Sequence, residues 1–238
     1  FALAGLGMLL GSPGQDRYGA LTWAQASAGP QGLALLLDPD GDDHYRLGNE
    51  VLVWPSSQLP DRNASMGQGA AFGGVALLLD AAGDDLYEAQ LFAQGAGYRR
   101  GTGLLIDLDG NDRHEAAWYA MGAAAHQAVG LLWDAGAGQD HYEASHVTVM
   151  GAGHDLSVGM LVDGGGPDTF KLGDLGLGAA HDGGHGVLVH GGGAASHRFT
   201  APACRGMGGR YASPGREPAG VGLFAGTATT RCTQGASP

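Results

Sequence analysis

The sequence predicts an all-β fold, a parallel β-helix (β-solenoid) of about eight coils with a repeat of roughly 27 residues. Two observations predict it. A segment reading Leu-Leu-Leu-Asp-x-x-Gly-x-Asp-x-Tyr returns along the chain, and the residues ending its apolar run are Gly11, Asp38, Asp80, Asp107, Asp134, Asp163, His190 and, more faintly, Gly226. No window holds a capped apolar period of 3.6 residues long enough for a good helix, whereas short apolar runs punctuated by Gly and Asp are strand and turn signals. A unit of this length cannot bury its apolar face alone and must stack on its neighbours.

Within one repeat, Leu104 to Gly130 is the clearest copy. An apolar strand Leu104-Leu105-Ile106 leads into a turn from Asp107 to Asp112, a second strand runs from Arg113 to Ala120, and a Gly/Ala-rich stretch closes the coil. At about 3.3 Å per strand residue such a unit traces a contour of roughly 90 Å, suited to three short faces. Stacked coils place each residue over its counterpart one turn away, so columns of like residues are expected. Trp23, Phe92, Tyr119 and Leu175 form one, read as interior filling. Gln25, Gln68, Gln94, Met121, Met150, Leu177 and Met207 form a second, in which inward-facing glutamines would make an amide ladder that gives way to thioether packing. Tyr18, Tyr45, Tyr87, His114, Tyr142 and Phe170 form a third, read as a structural stack.

The repeat organises residues 1–200, with a loop insertion near 50–64 in the coil opening at Leu35; Trp54 in that loop is a contact for a sugar ring or a partner protein, or else a cover for the coil flank. The coil opening at Val187 carries a smaller insertion. Residues 201–238 read as an irregular C-terminal coil or cap, in which Cys204 and Cys232 form either a disulfide or two buried thiols. No polar cap is visible at the Phe1 end, so that end is expected to continue into more protein or to pack on a partner subunit.

The 238 residues include 46 glycines and a single lysine, Lys171, and the net charge is -12. Clustered cations are what phosphate binding needs, so nucleic acid and anionic membrane surfaces are disfavoured as partners. No apolar run approaches the roughly 20 residues that span a bilayer as a helix.

Two columns are aspartates. One comprises Asp38, Asp80, Asp107, Asp134 and Asp163; the other comprises Asp16, Asp43, Asp85, Asp112, Asp140 and Asp168. Carboxylates stacked about 5 Å apart repel by on the order of 1 kcal/mol per pair even in a water-like dielectric. Either the amides of the Gly-rich turns or a hard cation must offset this. The turns Gly14-x-Asp16-x-Tyr18, Gly41-x-Asp43-x-Tyr45, Gly83-x-Asp85-x-Tyr87, Gly110-x-Asp112-x-His114, Gly138-x-Asp140-x-Tyr142 and Gly166-x-Asp168-x-Phe170 resemble the calcium-binding β-roll motif of secreted bacterial RTX proteins. The motif's first glycine is usually Asp here, and it occurs once per coil instead of every nine residues. The chain is also similar to large Gly-rich secreted bacterial repeat proteins. The resemblance implies Ca2+ at Asp38, Asp43, Asp80, Asp85, Asp107, Asp112, Asp134, Asp140, Asp163 and Asp168, and an extracellular, cell-surface or periplasmic location.

His154-Asp155 and His181-Asp182 occupy equivalent places in adjacent coils, with Tyr98 and Tyr211 in the same column, His126 one residue off, and His185 and His190 close by. Imidazoles beside carboxylates suit a transition metal or a general base, and stacked polar corners are the alternative. A recurring acidic turn is architecture before it is an active site. The expected function is therefore a non-catalytic structural or binding solenoid, stabilised by calcium and docking to partner subunits or glycans. A carbohydrate-active hydrolase or lyase is the alternative; its active site would be a groove between the Trp54 loop and His181 to His190.

Overall fold

The computed structural model describes residues 1–193, 195–199, 208–211, 213, 220–226 and 228–232. Its described elements are all β, stacked as a parallel solenoid of about seven turns with a repeat near 27 residues. An eight-stranded sheet, here the long sheet, runs from Leu6–Leu10 through Leu33–Asp38, Val75–Asp80, Thr102–Asp107, Val129–Asp134, Val158–Asp163 and His185–His190 to Val221–Ala225. A second eight-stranded sheet runs from Arg17–Ala20 to Ala228–Cys232. The third face is a seven-stranded sheet of short strands, with a three-stranded sheet of Ala64–Gly67, Leu91–Ala93 and Trp118–Ala120 beside it.

Pairing is in register throughout the long sheet, so Leu78 lies beside Leu105 and Asp80 beside Asp107. Alternation along each strand sends Leu36, Leu78, Leu105, Leu132, Leu161 and Leu188 into the core. There they meet the aromatic column, whose rings stack face to face: Tyr18–Tyr45, Tyr45–Tyr87, Tyr87–His114, His114–Tyr142 and Tyr142–Phe170 lie 4.7 to 5.1 Å apart and within 6° of parallel. Coil spacing thus coincides with ring stacking distance.

Each coil turns its corner with two residues in the left-handed region separated by one other, as at Tyr119 (φ 47) and Met121 (φ 57), followed by Gly122 (φ 71). A non-glycine residue there costs roughly 1–2 kcal/mol. Burial of Met121, Met150 and Leu177 in the core offsets that cost. The glutamines of this column face inward as expected, but they form no amide ladder. Gln68 Nε2 donates to the Tyr45 and Glu88 carbonyls (2.9 and 3.0 Å), and Gln94 Nε2 to those of Tyr87 and Glu115 (3.0 Å each). A main-chain carbonyl on each of two adjacent coils competes successfully for the donor.

The column of Trp23, Phe92, Tyr119 and Leu175 does not fill the central core. Phe92 and Tyr119 belong to a separate apolar cluster with Met66, Leu91 and Ala117, against which Trp23, Phe72 and Tyr98 pack. The corner rotates these side chains to the flank, two residues before the inward position.

The insertion between His44–Leu47 and Ala64–Gly67 is organised by buried Asn63. Its Oδ1 accepts from the Val53 and Trp54 amides (3.0 Å each), and its Nδ2 donates to the Val51 carbonyl (2.7 Å). Within 201–238, Arg210–Tyr211, Val221–Ala225 and Ala228–Cys232 each add a strand to a sheet. Cys204, Met207 and the pairing of Cys204 with Cys232 lie outside the described residues. Leu9 is about half exposed, although it pairs with core residue Leu36. No described helix is long and apolar enough to cross a membrane.

Candidate functional site

The two aspartate columns form one seam inside the solenoid, where the long sheet turns into the second sheet. Close approach there is enforced by glycine: a Cβ on Gly110 would sit 1.9 Å from the Gly83 carbonyl oxygen, and one on Gly138 would sit 1.8 Å from that of Gly110. All ten aspartates expected to bind metal are buried, none more than 2% exposed.

The second column is tied into a ladder. The amide of each member donates to the carboxylate of its counterpart in the next coil: Asp43 to Asp85 Oδ1 (2.6 Å), Asp85 to Asp112 Oδ1, Asp112 to Asp140 Oδ1 and Asp140 to Asp168 Oδ1 (2.8 Å each). The first column takes hydroxyls from the aromatic stack. Tyr18 donates to Asp38, Tyr45 to Asp80 (2.6 Å) and Tyr87 to Asp107 (2.7 Å), and the Tyr142 hydroxyl lies 2.8 Å from both Asp134 and Asp163, which share its one proton. Asp163 also accepts from the Gly165 amide (2.7 Å), the local turn bond expected of Asp.

These bonds leave oxygens over. Asp85 Oδ2, Asp107 Oδ1, Asp112 Oδ2, Asp134 Oδ1 and Asp140 Oδ2 are buried with no hydrogen-bond partner among the described residues, and neither ring nitrogen of His114 has one. Three carboxylates converge within 4.8 Å at Asp38/Asp43/Asp80, at Asp85/Asp107/Asp112 and at Asp112/Asp134/Asp140. Burial raises the carboxyls of Asp43, Asp85, Asp107, Asp112 and Asp163 well above the ordinary Asp range and raises that of Asp80, with neighbouring carboxylates adding to the effect. Burial, reinforced by Asp134, holds Asp140 at about 8. An all-oxygen donor set with unpaired atoms has the chemistry of a calcium ligand shell.

At the far end of the seam, His190 takes the register position of Asp163. Its Nε2 lies 2.7 Å from Asp168 Oδ2, in a group with Asp163. His185 begins the same strand and points outward, in none of the metal-capable groups found among the described residues.

His126, His154 and His181 gather at a corner of the short-stranded sheet, where Ala125, His154, His181 and Tyr211 are successive register partners. The Nδ1 atoms of His154 and His181 are 3.1 Å apart, and His181 Nδ1 is 3.2 Å from Asp182 Oδ2. His126 Nδ1 pairs with Asp155 Oδ2 at 2.7 Å. Burial, with His181 beside it, lowers the His154 pKa below the ordinary imidazole value.

Trp54 lies elsewhere, on the rim of a cleft of about 660 Å³ whose walls are Trp23, Met66, Phe72, Phe92, Tyr98 and the inserted loop. It stands edge-on to Trp23, with ring centroids 5.8 Å apart. Among the described residues Arg99 is the only charged one lining the cleft, lying over Phe72 and Tyr98 at 5.7 and 5.6 Å. None of His181, His185 and His190 lines this cleft.

The outer surface of the long sheet went unremarked in the sequence. The strands from Leu33 to His190 alternate buried and partly exposed residues, and the outward ones other than Thr102 and His185 are also apolar, as with Val129, Leu131 and Trp133. The signal was present in the unbroken Leu-Leu-Leu run, which is how a parallel sheet covered on both faces reads.

No family model matches the chain, no curated protein matches it, and no solved structure matches it.

Proposed function

We propose that this chain is a non-catalytic structural solenoid that docks through the outer face of its long sheet to a second copy of itself. The observation that carries this reading is that face. On the six strands from Leu33–Asp38 to His185–His190 the outward positions hold no Asp, Glu, Lys or Arg, although the chain as a whole carries -12. Trp133 at 43% and Val75 at 42% exposed keep much of their apolar surface in water. Eight strands spaced about 4.8 Å, each about 20 Å long, present on the order of 700 Å² per copy. A standard interface buries about 800 Å² per partner, so two such faces packed as a sandwich make an interface of ordinary size. Repulsion between two acidic chains is least across a face that carries no charge.

The test is sedimentation velocity on the full chain and on Leu131→Lys/Trp133→Lys. The expected result is a dimer that the double variant converts to monomer with its β-sheet circular dichroism intact. A wild-type chain that stays monomeric at about 100 μM would overturn the reading.

Within the solenoid, the seam is proposed to hold calcium. Asp38, Asp43, Asp80, Asp85, Asp107, Asp112, Asp134 and Asp140 would supply carboxylate oxygens, and Asp163, Asp168 and His190 close the series with a mixed donor set. The ion supplies positive charge among buried carboxylates, and the unpaired oxygens support this assignment. The likeness to RTX β-roll turns and a secreted location are consistent with it. Thermal melting at pH 8 in calcium and in chelator tests it: a rise of several degrees in calcium is expected, and superimposed curves refute it.

The Trp54 cleft supports a second contact, with a glycan. Its aromatic walls offer stacking surfaces for sugar rings, while among the described residues it has no Asp, Glu or His to act as acid or base. This favours binding over hydrolysis.

A further inference from the structure

We infer that His154, His181 and Asp182 form a binding site for a divalent transition-metal ion of the zinc class, separate from the buried seam. Register pairing fixes the two histidines on adjacent coils, so their separation is set by the sheet. Zinc ligands lie about 2.0–2.2 Å from the ion, which puts two of them at a tetrahedral angle roughly 3.3 Å apart. The observed 3.1 Å between the imidazole nitrogens and 3.2 Å from His181 to Asp182 are both close to that edge length. All three ligand atoms fall within 4.8 Å of one another.

Without an ion, the three atoms are poorly matched. His181 Nδ1 can carry one proton, yet it faces both His154 Nδ1 and Asp182 Oδ2 within hydrogen-bond range. A cation takes a lone pair from each. Asp182 is positioned for this by the corner, where its backbone has φ 47, and by Ser213, whose amide and hydroxyl donate to Oδ1 and Oδ2 (2.6 and 2.9 Å). Such a support orients a ligating carboxylate. The His126 ring stands edge-on to His154, 5.9 Å away, and closes one side. Two nitrogens and one oxygen select zinc and its neighbours over calcium or magnesium, which prefer oxygen. The histidines are partly exposed, so a fourth position opens to water.

The chelator-stripped full chain would be titrated with Zn2+ by calorimetry and with Co2+ by visible absorption. With calcium present in excess to occupy the seam, one further ion per chain is expected, with the ligand-field bands of a four-coordinate Co2+ complex. His181→Asn and His154→Gln should each weaken binding by at least about 10-fold. His190→Gln, which alters the nitrogen donor of the seam, should leave this binding unchanged, and circular dichroism of the metal-free variants verifies the fold. Should His181→Asn fail to fold, His154→Gln carries the same test. Absence of saturable Zn2+ binding below about 100 μM would overturn the inference, and so would binding lost in His190→Gln but kept in both corner variants.

Discussion

His190 Nε2 lies 2.7 Å from Asp168 Oδ2, at the register position where the preceding coil has Asp163. The exchange is paired with another. Tyr18, Tyr45 and Tyr87 each donate a hydroxyl to the first-column aspartate of the next coil, and the Tyr142 hydroxyl is shared between Asp134 of its own coil, which follows His114, and Asp163 of the next, but Phe170 has no hydroxyl to give. An aspartate at 190 would therefore lack its donor, and the imidazole bonds to the second column instead. His190→Asp should destabilise the fold by about 3–5 kcal/mol, because it places a further carboxylate beside Asp163 and Asp168. Phe170→Tyr/His190→Asp should recover part of that loss, with a coupling of about 1–3 kcal/mol in a chemical-denaturation cycle. Additive effects of the two changes would contradict this account.

The seam makes stability depend on pH. Burial raises the carboxyls of Asp43, Asp80, Asp85, Asp107, Asp112, Asp140 and Asp163, so these groups ionise first in the unfolded chain, at about 4, while Asp140 holds its proton to about 8 in the folded state. Stability in chelator is then fully present below about pH 4 and declines through that window, by up to about 1.4 kcal/mol per pH unit for each group. A fall in melting temperature on the order of 5–10 °C from pH 5 to 8 is expected by scanning calorimetry. Calcium should flatten the decline, since a bound cation replaces the protons. A melting temperature that rises with pH in chelator would contradict the assignment.

Steric limits on the turn are equally testable. A Cβ at Gly110 would overlap the Gly83 carbonyl, whereas one at Gly19 meets nothing within 4 Å. Gly110→Ala should cost about 1–3 kcal/mol by urea denaturation, and Gly19→Ala should be neutral or stabilising by up to about 1 kcal/mol. Equal responses would show that coil spacing at the turn is not limited by that contact.

Coil architecture was legible because stacking repeats every constraint: Asp, Gly and Tyr recur where the seam, the close approach and the ring stack require them. The aromatic stack at Tyr45, Tyr87 and Tyr142 could be read off directly. The place of Trp23 and Phe92 could not, because alternation predicts inward or outward only while the backbone stays extended. Two left-handed residues in three, as at Tyr119 and Met121, break that rule, and nothing in those residue types announces a positive φ. The metal-like groups were half legible. Column membership brought His154 and His181 together, but the part of Ser213, from an irregular stretch, depended on tertiary placement. His185 and His190, close in sequence, point to opposite sides of the same strand.

Trp54 offers the last discriminating measurement. It is 54% exposed and held by the Asn63 bonds at its loop, so its ring position does not depend on packing in the core. Trp54→Ala should leave the melting temperature within about 1–2 °C, because surface substitutions rarely exceed about 0.5 kcal/mol. Its effect should fall on ligand binding. Titration of neutral oligosaccharides monitored by tryptophan fluorescence is expected to show saturable binding in the wild-type chain, weakened at least about 10-fold in Trp54→Ala, which corresponds to about 1.4 kcal/mol of lost stacking. Arg99→Gln separates neutral from acidic glycans: a loss confined to uronate-bearing oligosaccharides would assign the guanidinium to a carboxylate, and an equal loss for both would assign it to shaping the wall with Phe72 and Tyr98. Fluorescence unresponsive to every glycan class would remove the cleft from the functional surface and leave the long sheet as the docking face.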